Sequence, residues 1–246
     1  MQELKIDQKH KDILNDFTKN LENIFQNNLV SVILYGSAVS GEFLEDYSNL
    51  NLLIVLKTTD PDILRLATGL IGKLKFKRIN PLFLTEEYIK SSSDVFPIEF
   101  LDIKEHHSVL MGKDVVGDIQ IDIRNLRFQC EQELKQKLLY LQQQYLRINR
   151  DKLAIKNLLF RSFTSILHIM RSALRLRGKT PPVSKIDILR EMAIEFQVRI
   201  DVLKRILVAK EHPMELTNKE AEGLFINFLK ELETLVRIID QLKLNA

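Results

Sequence analysis

The residues best suited to chemistry lie between positions 32 and 56. An apolar run, Val32-Ile-Leu-Tyr35, leads into Gly36-Ser37, and Asn49-Leu50-Asn51 opens a second apolar run that ends at Leu56. Glycine permits a tight turn, and the N–H groups at the start of a following helix attract phosphate. Side chains alternate along a strand, so Asn49 and Asn51 should share the face beside the Gly-Ser turn. We therefore predict a strand, tight turn, short helix and strand, with phosphate bound at Gly36 and Ser37.

The same stretch resembles the nucleotidyltransferase superfamily related to DNA polymerase β, in its small form typified by kanamycin nucleotidyltransferase. The family signature is an apolar strand, Gly-Ser, a short connection and Asp-x-Asp on the next strand. Leu34-Tyr-Gly-Ser37 and Gly41-Glu42 match it, whereas both aspartates are replaced, by Asn49 and Asn51. Asn80 is the polar residue nearest to the place where the family commonly carries a third carboxylate. The resemblance implies the fold and a nucleotide ligand.

The asparagines alter the metal chemistry that the resemblance implies. In the family, paired carboxylates hold two Mg²⁺ ions that clamp the triphosphate and activate the acceptor hydroxyl. Magnesium prefers charged oxygen ligands, whereas asparagine offers a neutral carbonyl and an N–H₂ group that repels a cation. We expect weak or no metal-dependent transfer, with Mg²⁺ as cofactor only if the protein is active. The substitute metal ligands would be Glu99, Asp102 or Asp46.

Bulk composition is that of a soluble globular protein. The chain has 246 residues, of which 45% are hydrophobic and 28% charged, enough for two modest domains. It shows no basic-then-apolar leader and no apolar run of the length of about 18 residues that crosses a bilayer, so we expect a cytoplasmic protein without a membrane partner. The single cysteine, Cys130, excludes an internal disulfide and lies in an amphipathic pattern typical of a core residue.

Charge is distributed unevenly along the chain. Residues 124–190 contain 15 Lys and Arg against 4 Asp and Glu, whereas residues 1–123 contain 13 against 19 and residues 191–246 contain 8 against 10. This concentration favours an anionic partner. Solvated basic helix faces, or pairing with the acidic first domain, would produce the same count.

Hydrophobic periodicity outlines the first domain. It predicts a helix over Lys9–Phe25, and a second helix starting at Asp60-Pro61 with Ile63, Ala67, Leu70 and Leu74 on one face. A third apolar run, 77–85, contains Pro81, which predicts an edge strand or a bulge. We predict a loop at 91–94, then either a strand over 96–103 or a short helix beginning at Pro97, a solvated pair at His106-His107, and a last strand over 108–112.

From about Asp122 the pattern becomes entirely helical. Apolar stripes starting at Leu126 and Ile155 predict two long helices, the second ending at Gly178; Ser184 is a candidate cap, and Thr217-x-x-Glu220 predicts a capping box on the last helix. The fold class predicted is α+β: residues 1–121 form a nucleotidyltransferase-like mixed sheet with covering helices, and residues 122–246 form a bundle of about five helices.

The sequence is compatible with three functions. The first is a degenerate nucleotidyltransferase-like protein that binds a nucleotide or another phosphate-bearing molecule, with Arg124, Arg127 and Glu131 in the cleft facing the Gly-Ser turn. The second is an active enzyme that transfers a nucleoside monophosphate from a triphosphate to a hydroxyl. The third is an RNA- or protein-interaction module, for which Arg161 and His168 resemble the Arg–His motif of helical ribonucleases.

Overall fold

A computed structural model describes residues 4, 6–43, 48–73, 76–148, 151–211 and 217–244. The chain divides into two compact units, Met1–Ile121 and Asp122–Ala246. The first contains a four-stranded mixed sheet with helices, and the described part of the second is helical. The predicted α+β class is therefore confirmed, whereas the independence of the two units as domains stays a prediction.

The first unit is built around a sheet with strand order β3-β2-β1-β4. Its strands are β1 (Leu29–Tyr35), β2 (Leu50–Leu56), β3 (Ile79–Thr85) and β4 (His107–Gly112). Strand β2 runs parallel to β3, and β1 runs antiparallel to both β2 and β4. Pro81 lies on β3 at the edge of the sheet, as predicted, because an edge strand can lack one N–H donor.

Helices cover both faces of this sheet. They are α1 (Gln8–Phe25), α2 (Ser37–Ser40), α3 (Pro61–Arg65), α4 (Thr68–Ile71), α5 (Glu86–Ser92) and α6 (Pro97–Glu105). Even-numbered residues of β1 and β2, such as Val32 and Leu52, pack in one cluster with Phe17 of α1. Odd-numbered residues such as Leu53 pack with Phe100 of α6. Burial on two sides explains why both strands are continuous apolar runs.

Two local predictions for this unit are corrected, and one pair of alternatives is decided. The helix expected from Pro61 onward is two short helices, α3 and α4, and Asp60 makes no side-chain cap; Leu74 lies outside the described residues. The loop expected at 91–94 begins within α5, whose first turn is capped by the Thr85 hydroxyl. Of the two alternatives for 96–103, the short helix beginning at Pro97 is confirmed, as α6. Caps and packing, rather than periodicity, decided these short elements.

The described part of the second unit contains the five helices that were predicted. They are α7 (Ile123–Arg147), α8 (Lys152–Arg175), α9 (Lys185–Phe196), α10 (Asp201–Glu211) and α11 (Asn218–Asp240). The α8 stripe from Ile155 to Leu174 is buried, and Cys130 is buried in α7. The capping box at Thr217 and Glu220 is present, whereas Ser184 precedes α9 without a side-chain cap.

Among the described residues, none of the helices is both long enough and apolar enough to cross a membrane.

Candidate functional site

The Gly36 turn joins the end of β1 to the start of α2. Gly36 has φ 78° and ψ −143°, a conformation that side-chain-bearing residues rarely adopt. Its N–H donates to the carbonyl oxygen of His106 at 3.0 Å, and its carbonyl accepts from the N–H groups of Val39 at 2.9 Å and Ser40 at 3.0 Å. Hydrogen bonds therefore fix the turn from both directions.

Two of the predicted asparagines meet beside this turn. Register across the sheet pairs Tyr35 with Asn51 and Asn51 with Asn80. The Asn80 Nδ2 donates to the Asn51 Oδ1 at 3.1 Å, and a Cβ atom placed on Gly36 would lie 3.2 Å from the Asn51 Nδ2. Asn49 is exposed and precedes β2 by one residue. The structure thus brings Gly36, Asn51 and Asn80 together, while their role in binding stays a prediction.

The helix that follows the turn is a single turn long, Ser37–Ser40. Few peptide dipoles are aligned in so short a helix, so its partial charge is small compared with that of a full helix. Ser37 and Ala38 are its first two residues, and no described residue accepts a hydrogen bond from their N–H groups. Local N–H donors and the close approach that Gly36 allows, rather than a helix dipole, are what this turn offers an anion.

The residues present do not fit the paired Mg²⁺ ions that the family resemblance implies. The Asn51 oxygen already accepts a hydrogen bond from Asn80, and the Asn51 N–H₂ group lies toward Gly36. Glu99 and Asp102 lie on α6, and within the described ranges no three His, Cys, Asp or Glu side chains form a group able to hold a metal. Asp46 lies outside the described residues. These residues therefore support no catalytic step through a metal ion.

Strand β4 contributes a polar pair next to the turn that the sequence did not predict. His107 pairs in register with Tyr35, and its side chain, expected to be solvated, is only 15% exposed. Its Nε2 lies 3.1 Å from the Asp114 Oδ2, and its Nδ1 lies 2.9 Å from the Lys104 carbonyl oxygen. The one signal in the sequence was the turn-forming pattern Asp114-Val-Val-Gly117.

Burial and hydrogen bonding shift the pKa of two groups in this region. Partial burial would raise the pKa of the Asp114 carboxyl, but N–H donors from Gly117 and Val116 together with His107 outweigh it, and the net shift is downward. Burial raises the pKa of the Tyr35 hydroxyl. Asp114 is therefore held ionised and Tyr35 neutral near pH 7.

The two arginines predicted to bind phosphate have partners within the second unit. Arg124 is exposed and ion-pairs with Asp122, whose pKa is lowered to about 2 by that contact. The Arg127 Nη1 donates to Glu131 at 2.9 Å and to the carbonyl oxygens of Ile239 and Asp240, each at 3.2 Å. A cation at the C-terminal end of α11 is favourable for the helix. Phosphate binding by either arginine, and their position facing the Gly36 turn, stay predictions.

The sheet, the turn at Gly36 and the helical second unit together define the class, a nucleotidyltransferase fold joined to a helical region. No protein-family model matches the chain, and no curated protein sequence matches it. Among solved structures, it is similar to spectinomycin adenyltransferase AAD(9) from Enterococcus faecialis, crystallised with ATP and spectinomycin. The TM-score is 0.56 at 14% sequence identity, over 91% of this chain and 99% of that chain. The likeness establishes the fold.

Proposed function

We propose that this protein binds a nucleotide, or another phosphate-bearing ligand, at the Gly36 turn and has weak or no metal-dependent transfer activity. The observation that carries the proposal is the Asn51 amide, which lies against Gly36 and is held by Asn80. Fold likeness to an adenyltransferase solved with ATP supports the ligand class. The asparagines support weak or no transfer activity, because a metal-dependent relative would need carboxylates at their positions.

Replacing carboxylates with asparagines favours phosphate binding without a metal. Each replacement removes a negative charge that would repel phosphate, and the Asn51 Nδ2 adds a hydrogen-bond donor beside the turn. Gly36 lets the backbone approach a ligand closely, and Ser37 adds a hydroxyl. The expected complex therefore depends on the turn and the Asn51 amide rather than on Mg²⁺.

Calorimetric titration with ATP, with and without Mg²⁺, tests the binding site. We expect metal-independent binding that Gly36→Val abolishes by blocking the approach, and that Ser37→Ala weakens by about 1 kcal/mol through loss of one hydrogen bond. Combining Asn49→Asp with Asn51→Asp should make binding depend on Mg²⁺, because two charged oxygen ligands return. Binding unaffected by Gly36→Val would refute the site at the turn.

A transfer assay with a panel of nucleoside triphosphates and hydroxyl acceptors tests the activity. We expect turnover far below the rate of about 1 per second that is common for enzymes. Turnover at that rate would refute the proposed degeneracy and favour the active nucleotidyltransferase. Absence of any nucleotide binding would instead favour the RNA- or protein-interaction module.

A further inference from the structure

A cavity of about 480 Å³ lies between α7 and α8, within the second unit. Residues spaced along one face of each helix line it, from Lys137 to Ile148 on the α7 side and from Ala154 to Ser165 on α8. Its volume is in the range of small-molecule sites. We call this cavity the α7–α8 groove.

The charge of the groove is one-sided. Of the described residues that line it, Lys137 and Arg161 are cationic and none is Asp or Glu. In the part of the chain that the structure describes, neither of these two cations makes an ion pair, unlike Arg127 and Lys179 of the same unit. The groove also lies in the segment 124–190, where Lys and Arg outnumber Asp and Glu by 15 to 4. Two unpaired cations in one cavity favour an anionic ligand.

The cationic groups collect at one end of the groove. The connection between α7 and α8 is short, so the two helices run antiparallel and residues equally far from it lie opposite each other. Lys137 and Ser162 are each ten residues from the end of their helix at the connection, so they lie opposite each other, and Arg161 adjoins Ser162, which is only 5% exposed. The Ser165 hydroxyl donates to the Ser162 carbonyl at 3.0 Å, which leaves the Ser162 hydroxyl as the sheltered donor. Two cations and a sheltered hydroxyl suit a phosphate group.

The opposite end of the groove has a different chemistry. Ile148, Ala154 and Leu158 line it near the connection and are apolar. Between the two ends stand the amides of Gln144 and Asn157 and the ring of Tyr140. Side-chain amides can hydrogen-bond to the polar edge of a ring, and an aromatic side chain can stack on its face. The middle and far end therefore suit a planar heterocycle.

From these two ends we infer that the α7–α8 groove binds an organic phosphate monoester of nucleotide size. The phosphate lies at Lys137, Arg161 and Ser162, and the organic ring lies between Tyr140 and the apolar end. The described residues that form this site belong to the second unit, whereas the Gly36 turn belongs to the first.

A fluorescent reporter in the groove tests the inference directly. The chain contains no tryptophan, so Tyr140→Trp introduces a single local probe into the full-length protein. We expect AMP to cause a saturable fluorescence change, with adenosine and inorganic phosphate each requiring higher concentrations. Adding Arg161→Gln should weaken AMP binding roughly tenfold, because one charge-assisted contact is lost. Arg199→Gln, at an exposed arginine outside the groove, should leave the midpoint unchanged.

A matched reporter separates this site from the Gly36 turn. Tyr88 on α5 is 46% exposed, close to the 49% of Tyr140, so Tyr88→Trp places a similar probe in the first unit. We expect that AMP causes no fluorescence change of Tyr88→Trp at the midpoint concentration measured with Tyr140→Trp. Absence of a saturable Tyr140→Trp response up to about 1 mM AMP would overturn the inference. A midpoint that Arg161→Gln leaves unchanged, or that adenosine reproduces, would overturn it too. None of these results bears on ATP binding at Gly36.

Discussion

Gly36→Ala perturbs the turn with the smallest possible side chain. A residue with a Cβ atom costs about 1–3 kcal/mol where the backbone is held in a conformation almost restricted to glycine, and Gly36 has φ 78° and ψ −143°. The new Cβ atom also lies 3.2 Å from the Asn51 Nδ2, so the Asn51 amide must shift. Its hydrogen bond from Asn80 is exposed and contributes about 0.5–1.5 kcal/mol. We expect a total destabilisation of about 2–4 kcal/mol.

Two other glycines separate backbone strain from the contact with Asn51. Gly178 has φ 69° but nothing within 4 Å of a Cβ atom, so Gly178→Ala should cost about 1–2 kcal/mol from the backbone alone. Gly69 has ordinary φ and open space in the same unit as Gly36, so Gly69→Ala should be neutral or stabilise by up to about 1 kcal/mol. Urea denaturation monitored by circular dichroism measures the free energy of unfolding of all three variants. If Gly36→Ala lowers the free energy of unfolding by no more than Gly178→Ala does, the contact with Asn51 is refuted.

Two further predictions concern polar contacts away from the turn. The folded-state pKa of Asp114 is lowered from the ordinary value of 3.8, so its stabilisation is present above that pH and is lost as pH falls below it. Asp114→Asn should therefore destabilise by about 1 kcal/mol at pH 7, with a smaller difference from wild type at pH 3, in urea denaturation at the two pH values. A difference independent of pH would contradict the role of the charge. Thr217→Ala should cost about 1 kcal/mol in the same assay because the Glu220 N–H loses its cap, whereas Ser184→Ala should change little. Equal losses from Thr217→Ala and Ser184→Ala would show that the observed cap bond is not what stabilises α11.

The sequence predicted the larger elements because their signals are local or periodic. The α8 stripe from Ile155 to Leu174 repeats at helical spacing and is buried as a whole. The apolar runs of β1 and β2 indicated strands, and Pro81 indicated an edge position or a bulge; the structure added that both strands are buried on two sides. A hydrophobic pattern that extends over many residues still indicates its helix or strand when a single position departs from it.

Short elements were predicted less well. Stretch 61–71 divides into two helices, and Ser91-Ser92 end a helix rather than form a loop. Each of these elements is two turns or shorter, so periodicity has too few residues to act on. Their boundaries depend on caps and on packing against the sheet.

At the candidate site, the sequence alone determined the residue types, namely the Gly36-Ser37 turn and asparagine where the resembling family carries aspartate. Only the tertiary structure decided that the Asn51 amide lies between Gly36 and Asn80, because strand register joins positions far apart in the chain. The pairing of His107 with Asp114 and the α7–α8 groove likewise arise from chain segments brought together by folding. Residue identity sets which chemistry is available, whereas long-range packing sets which groups meet.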